Sequence, residues 1–261
     1  MIFTSPKYLI SSSKYLIYFF IYQLTTGCIF DKSESQKKLD VINFVSDTSD
    51  TEKIIIESSP SKSKIAIKLD SLGLVDIHTI DTNIIVDLKY STTDNFTGQI
   101  LYDSLYEAYF QIDVAIMLSN AQKYLQDTLP EAKLLIYDAA RPLSVQKIMW
   151  EKVKNTRFIR YVAAPYRTSL HNYGVAVDLT VIDKNGIPLD MGTPYDYFGK
   201  KAGTNEKELV ADGLLTSQQA QNRQLLRFIM KKAGFSPVSG EWWHFNACTL
   251  AEAKNRYILI D

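Results

Sequence analysis

The chain has 261 residues, 46% of them hydrophobic and 22% charged, with 29 basic against 29 acidic residues and a formal net charge of zero. That balance excludes polyanion binding as the main task, because no basic excess exists to neutralise phosphates, and 11 Gly with 8 Pro exclude fibrous and low-complexity architectures. Two Cys exclude a disulfide framework, so any metal must find its ligands among three histidines, His78, His171 and His244, and the carboxylates.

At the N-terminus, Lys7 and Lys14 precede an apolar run from Tyr15 to Tyr22, and Leu24-Thr25-Thr26-Gly27-Cys28 leads into polar sequence. The run is about half of the ~18 residues a membrane span needs, and it matches the apolar core of a secretory signal after a basic start. Small residues before a Cys resemble the bacterial lipobox, whose Cys becomes the lipidated first residue of the mature protein; Thr25 stands where leucine is usual. Residues 1–27 are therefore read as a lipoprotein-type signal peptide and Cys28 as the lipid attachment point, with an ordinary cleaved signal or an uncleaved anchor as the alternatives. This reading exports the protein and holds it at a membrane, in the bacterial periplasm or at the cell surface. Residues 28–71 are serine-rich and of mixed charge, with short apolar islands such as Ile54-Ile55-Ile56. Too little apolar surface is present there to offset chain entropy, so the segment is read as a largely disordered tether. No repeat interrupts residues 72–261, which are read as one domain.

Within it, Asn83 to Tyr90 reads as a strand, followed by a polar turn through Asp94, Asn95 and Gly98. An apolar-rich helix is expected from about Glu107 to Leu125, ending before Pro130, and Lys133 to Tyr137 is a short buried strand. Pro142 opens a helix on which Val145, Ile148, Met149 and Val153 repeat at helical spacing. Val175 to Ile182 is a strong strand closed by the Asp183-Lys184-Asn185-Gly186 turn. Thr216 and Gln219 form a capping box for a helix that ends at Gly234, and a last strand spans Trp242 to Phe245. Intermixed helices and strands with hairpin turns predict an α+β domain, a mainly antiparallel sheet flanked by helices.

Residues able to do chemistry gather in two segments. His171 and Asp178 lie seven apart with Gly174 between them. In one regular strand that odd separation would put them on opposite faces, so His171 is expected on an incoming loop that Gly174 lets bend, and both could then face one site. Glu241 precedes His244 by three residues. One imidazole from each segment plus a carboxylate is a ligand set suited to catalytic zinc with its fourth position left to water, and Glu241 would be free to act as a base. Taken singly, each residue also has a plainer reading. A lone histidine is more often a surface or satisfied core group, which is the reading of His78; Asp178 could end a strand, Glu241 could be a surface charge, and Trp242 and Trp243 are packing residues.

Tyr137-Asp138-Ala139-Ala140-Arg141-Pro142, then Ser169, His171, Gly174, Ala176 and Asp178 in one motif, then Glu241-Trp242-Trp243-His244, occur in this order. Tyr90 with Asp94-Asn95-Phe96-Thr97-Gly98, Met191-Gly192-Thr193 with Tyr195-Asp196, and Ala220-Gln221-Asn222-Arg223 accompany them. Together they resemble the D-alanyl-D-alanine dipeptidase family of zinc peptidases from Leu72 to the C-terminus. The resemblance implies one zinc ion on His171, Asp178 and His244, with Glu241 as general base and acid and Arg141 stabilising the oxyanion. It also implies Ser169, Tyr90 and Asp196 in substrate binding, with Asp196 facing the substrate ammonium. Ala139-Ala140 departs from the family, which commonly has glycine and an aromatic residue before the arginine, and alters the pocket near Arg141. The expected reaction is hydrolysis of D-Ala-D-Ala to two D-alanines, and a substrate that small implies a small closed pocket. The alternatives are a zinc D,D-carboxypeptidase or endopeptidase on peptidoglycan stem peptides, marked by an open cleft, and a non-catalytic binding module anchored at the surface.

Overall fold

A computed structural model describes residues 62–261; the expected signal peptide, Cys28 and the first part of the expected tether lie outside them. Residues 64–71, inside the stretch read as tether, instead form helix α1 (Lys64–Ser71). Ser63 caps it by accepting a hydrogen bond from the Ala66 amide at 3.1 Å, and Ala66 and Leu69 are buried, so a short apolar stripe is enough to dock it.

Strand β1 (Val75–Asp76) is followed by β2 (Ile85–Val86), β3 (Tyr109–Phe110), α2 (Ile112–Thr128), β4 (Lys133–Asp138), α3 (Leu143–Val153) and β5 (Ala176–Ile182). Then come α4 (Glu206–Ala211), α5 (Ser217–Lys232), β6 (Ser236–Pro237), β7 (His244–Asn246) and α6 (Leu250–Arg256). β1 pairs with β3 in a two-stranded ribbon, and the other five strands form one sheet in the order β2-β4-β5-β7-β6. Only the β2–β4 pairing is parallel. The α+β class and the mainly antiparallel sheet are thus as expected.

Several boundaries differ. The expected strand from Asn83 shrinks to Ile85–Val86, because the chain turns into a helical turn at Lys89–Ser91 that buries Tyr90. The helix expected from Glu107 starts at Ile112, since Tyr109 and Phe110 are used for pairing with β1. The last strand begins at His244, because Trp242 and Trp243 lie before the pairing with β5 starts. The capping box on α5 forms as read: Thr216 Oγ1 accepts from the Gln219 amide at 3.1 Å and Gln219 Oε1 from the Thr216 amide at 2.9 Å.

β5 is the spine of the domain, with all seven residues buried. One of its faces carries Val177, Leu179 and Val181, which belong to the same core as Leu118, Leu125, Leu226 and Phe245. Each fully buried side chain of this size contributes about 1.5–3 kcal/mol. That rigid backing lets the other face of β5 carry polar groups at its N-terminal end.

Candidate active site

Strand register puts three polar residues in a row. Asp138 on β4 is the Cα partner of Asp178 on β5, and Asp178 is the partner of His244 on β7. Directly paired residues of antiparallel strands project from the same face, so the two acids and the imidazole stand side by side. His171 reaches the row from outside the sheet. It sits in a helical turn (Leu170–Tyr173) capped by Ser169, and Gly174 ends that turn with φ +68°, the left-handed bend expected of it. His171 and Asp178 therefore face one site despite their odd separation.

The two imidazoles and the carboxylate meet closely. His171 Nε2 lies 3.2 Å from His244 Nδ1 and 3.3 Å from Asp178 Oδ1, and His244 Nδ1 lies 2.9 Å from Asp178 Oδ1. The outward nitrogens are already engaged: His171 Nδ1 donates to the Ala139 carbonyl at 2.7 Å, and His244 Nε2 donates to Asn246 Oδ1 at 2.7 Å. With both ring protons pointing away, two nitrogen lone pairs and a carboxylate oxygen converge, an arrangement that a cation relieves. The second Asp178 oxygen accepts from the Tyr195 hydroxyl at 2.9 Å. Burial favours the neutral acid at Asp178, yet the adjoining His171 and His244 hold its carboxyl well below the usual range. These three residues could hold one metal ion.

Glu241 faces the same cavity from the loop before β7. Burial pushes its carboxyl up to about 7, and the nearby Asp178 and Asp196 charges push the same way. Arg141 approaches from the turn after β4. Its Nε donates to Asp138 Oδ2 at 2.9 Å, its Nη2 also contacts that oxygen, and its Nη1 donates to Gln146 Oε1 at 2.8 Å. Burial opposes the charge, but Asp138 and the surrounding phenols keep the guanidinium firmly protonated. Asp138 is wholly buried and also accepts from Tyr102, so the ion pair is fixed from behind. The Arg141–Asp138 ion pair stands just before α3, and the same guanidinium lines the cavity.

Asp196 has the left-handed backbone angle φ +59°, unusual for a residue with a Cβ. Its oxygens accept from Tyr90 Oη, 3.1 Å to each, and from the Phe96 amide at 3.3 Å. Burial, and then the Asp178 charge, push its carboxyl up to about 7. Tyr90 and Ser169 also line the cavity. The Tyr90 hydroxyl is engaged by Asp196, and Ser169 Oγ accepts weakly from the His171 amide at 3.4 Å. All eight residues predicted for the site outside the N-terminal segment thus come together around one cavity.

Tyr195, Gln146 and Asn246 are the residues near the site that sequence reasoning missed. Asn246 had a signal, since it lies two residues beyond His244 on the same strand face. The cavity itself corrects an expectation. At about 600 Å³ it exceeds the small closed pocket predicted. Two loops that line it meet where Tyr161 stacks on Phe198 with ring centres 4.8 Å apart, and Arg160 and Lys200 from the same loops line it too. His78 is half exposed and bonds the Ile84 carbonyl through Nε2 at 3.0 Å, away from the site, as read.

Comparison with known proteins agrees with this chemistry. The sequence pattern of the D-ala-D-ala dipeptidase family matches residues 70–259. The chain is 31% identical over 192 residues to a D-alanyl-D-alanine dipeptidase of Escherichia coli (strain K12), covering 74% of this chain and 92% of that protein. It is 28% identical over 200 residues to a D-alanyl-D-alanine dipeptidase of Enterococcus faecium, covering 67% and 91% respectively.

Proposed function

The chain belongs to the D-ala-D-ala dipeptidase family and is a metallo-dipeptidase, and we propose that it hydrolyses D-Ala-D-Ala to two D-alanines with one zinc ion held by His171, Asp178 and His244. The observation that carries this reading is the convergence of three lone-pair donors beside the Glu241 carboxylate on one cavity. Two imidazoles and one carboxylate, each oriented by a further partner, form a donor set that fits catalytic zinc. Zinc bound there supplies Lewis acidity and brings the pKa of water to about 7.

The remaining chemistry belongs to the chain. Glu241, raised to about 7, accepts a proton from the attacking water and returns it to the leaving amine. Arg141, clamped by Asp138 and Gln146, presents a fixed positive charge where the scissile carbonyl oxygen becomes negative, and it needs no rearrangement to do so. Asp196 binds the substrate ammonium, Tyr90 orients Asp196, and Ser169 contributes a hydroxyl to substrate binding. The domain works outside the cytoplasm, tethered to a membrane through lipidated Cys28.

A second reading, a D,D-carboxypeptidase or endopeptidase acting on peptidoglycan stem peptides, is favoured by the cavity volume. About 600 Å³ suits a ligand larger than a dipeptide of eleven non-hydrogen atoms. Release of product from D-Ala-D-Ala, L-Ala-L-Ala and a muropeptide, read as free alanine or as cleaved muropeptide, each with and without a chelator, tests both. Chelator-sensitive release from D-Ala-D-Ala alone is expected. Release from the muropeptide alone selects the second reading, and release from none removes both.

A further inference from the structure

Three stretches of chain around the cavity meet at one guanidinium that none of these roles uses. Arg223 lies on α5, in the Ala220-Gln221-Asn222-Arg223 motif, and is 1% exposed. Its Nε donates to the Met191 carbonyl at 2.6 Å, and its Nη1 donates to the carbonyls of Lys201 and Gly203 at 2.9 and 3.1 Å. Its guanidinium carbon lies 5.8 Å from the centre of the Trp242 ring. Met191 begins the segment that delivers Tyr195 and Asp196, Gly203 lines the cavity, and Trp242 adjoins Glu241.

The same end of α5 grips the first segment again. Asn222 Nδ2 donates to the Asp190 carbonyl and Gln219 Nε2 to the Asp190 carboxylate, both at 2.8 Å. Trp242 Nε1 in turn donates to Thr193 Oγ1 at 2.8 Å. The segment ends at Asp196 in its left-handed conformation, which persists only where the surroundings over-determine it. Arg223 is not there for an ion pair: the neighbouring Glu206 is taken by Arg227 in a two-pronged contact, and every acceptor of Arg223 is a neutral carbonyl.

We propose that Arg223 is a positioning residue for the reaction, fixing the 190–196 segment, the 201–203 loop and Trp242 against one another so that Asp196 and Glu241 address the same substrate. The inference rests on the roles given above to Asp196 and Glu241. A planar fork can serve three carbonyls from two nitrogens at fixed angles, whereas a lysine ammonium on a flexible stem cannot hold all three. The metal ligands lie on other elements, but Tyr195 in the 190–196 segment reaches Asp178, so the variants are assayed at saturating zinc, which separates substrate positioning from metal affinity.

The full chain carrying Arg223→Lys or Asn222→Ala tests this by zinc content and by separate kcat and KM for D-Ala-D-Ala. Misplacement of a binding group by a fraction of an ångström predicts, for Arg223→Lys at saturating zinc, a KM raised about tenfold or more, with kcat lowered by a smaller factor through Glu241. Asn222→Ala moves KM the same way by a smaller factor. A merely structural role would instead lower kcat in step with the zinc-loaded, folded fraction and leave KM at the wild-type value, and that result overturns the proposal. If Arg223→Lys does not fold, Asn222→Ala decides: a raised KM supports the proposal and an unchanged one overturns it. Wild-type protein that releases no D-alanine condemns the functional reading instead, without reference to either variant.

Discussion

The hydroxyl of Tyr195 donates to Asp178 Oδ2 at 2.9 Å, on the oxygen that faces away from the two imidazoles. Tyr195 itself is wedged edge-on against Trp243, with ring centres 5.4 Å apart, so its hydroxyl has little freedom to leave. A partner of this kind orients a ligand without touching the metal. Tyr195→Phe should weaken zinc affinity by about 10–100-fold, measured by competition with a chromophoric chelator, while activity at saturating zinc stays close to wild type. Unchanged affinity would remove Tyr195 from the metal site.

Glu241 and His244 should separate cleanly when mutated. Glu241→Ala keeps its zinc and loses turnover by at least about 100-fold, the usual contribution of a positioned acid-base group. His244→Ala loses both. Metal analysis and D-alanine release on the same samples read the two effects, and a fully active Glu241→Ala enzyme would sink the assignment of the base.

The pH dependence of substrate binding should follow Asp196. Its carboxyl is pushed up to about 7, first by burial and then by Asp178, so it loses its negative charge as pH falls through that value. KM for D-Ala-D-Ala should therefore rise on the acid side. Asp196→Asn should show a high KM that no longer varies there. Glu241 titrates in the same range but acts on turnover, so KM and kcat must be plotted individually.

Gly174 permits two things at once, a φ of +68° and close approach of the helical turn to Leu74. A Cβ there would lie 2.7 Å from Leu74 Cδ2. Gly174→Ala should destabilise the domain by about 1–2 kcal/mol from backbone strain, with the contact adding to it, and it should weaken zinc binding because His171 sits three residues earlier. Denaturant unfolding and zinc titration measure the two consequences.

Cys28 supplies a prediction of another kind. Two or more acyl chains on one residue bury enough methylenes, at about 0.8 kcal/mol each, for stable anchoring. Palmitate labelling and membrane recovery of the expressed protein should both vanish in Cys28→Ser. Absence of label in the wild type would return the N-terminus to an ordinary signal or an uncleaved anchor.

How much of this was readable in the sequence depended on how local each cause was. His171, Asp178, Glu241 and His244 stood out because ligand-type residues clustered around a glycine and near a strand, and the capping box at Thr216 and Gln219 followed from four consecutive residues. The strand expected from Asn83 is longer than β2 because Ile84 and Leu88 are apolar for burial in the core, while only Ile85 and Val86 pair. Tyr195 and Arg223 were present in motifs, but their partners lie 17 and 20 to 32 residues away. No periodicity predicts which carbonyl a buried arginine will reach. A pocket at this site was expected but not its size, because its lining includes Tyr161 and Phe198 from two loops distant in sequence that stack on each other.

Because Asp178 and His244 are direct partners in the pairing of β5 with β7, a slip of one residue between those strands would turn His244 to the opposite face. The ligand set then exists only in the correctly aligned sheet, and a zinc ion that binds that alignment alone stabilises it by mass action. A metal held by this site would thus act as a proofreader of strand alignment, at a pairing only three residues long beside a strand whose every residue is buried.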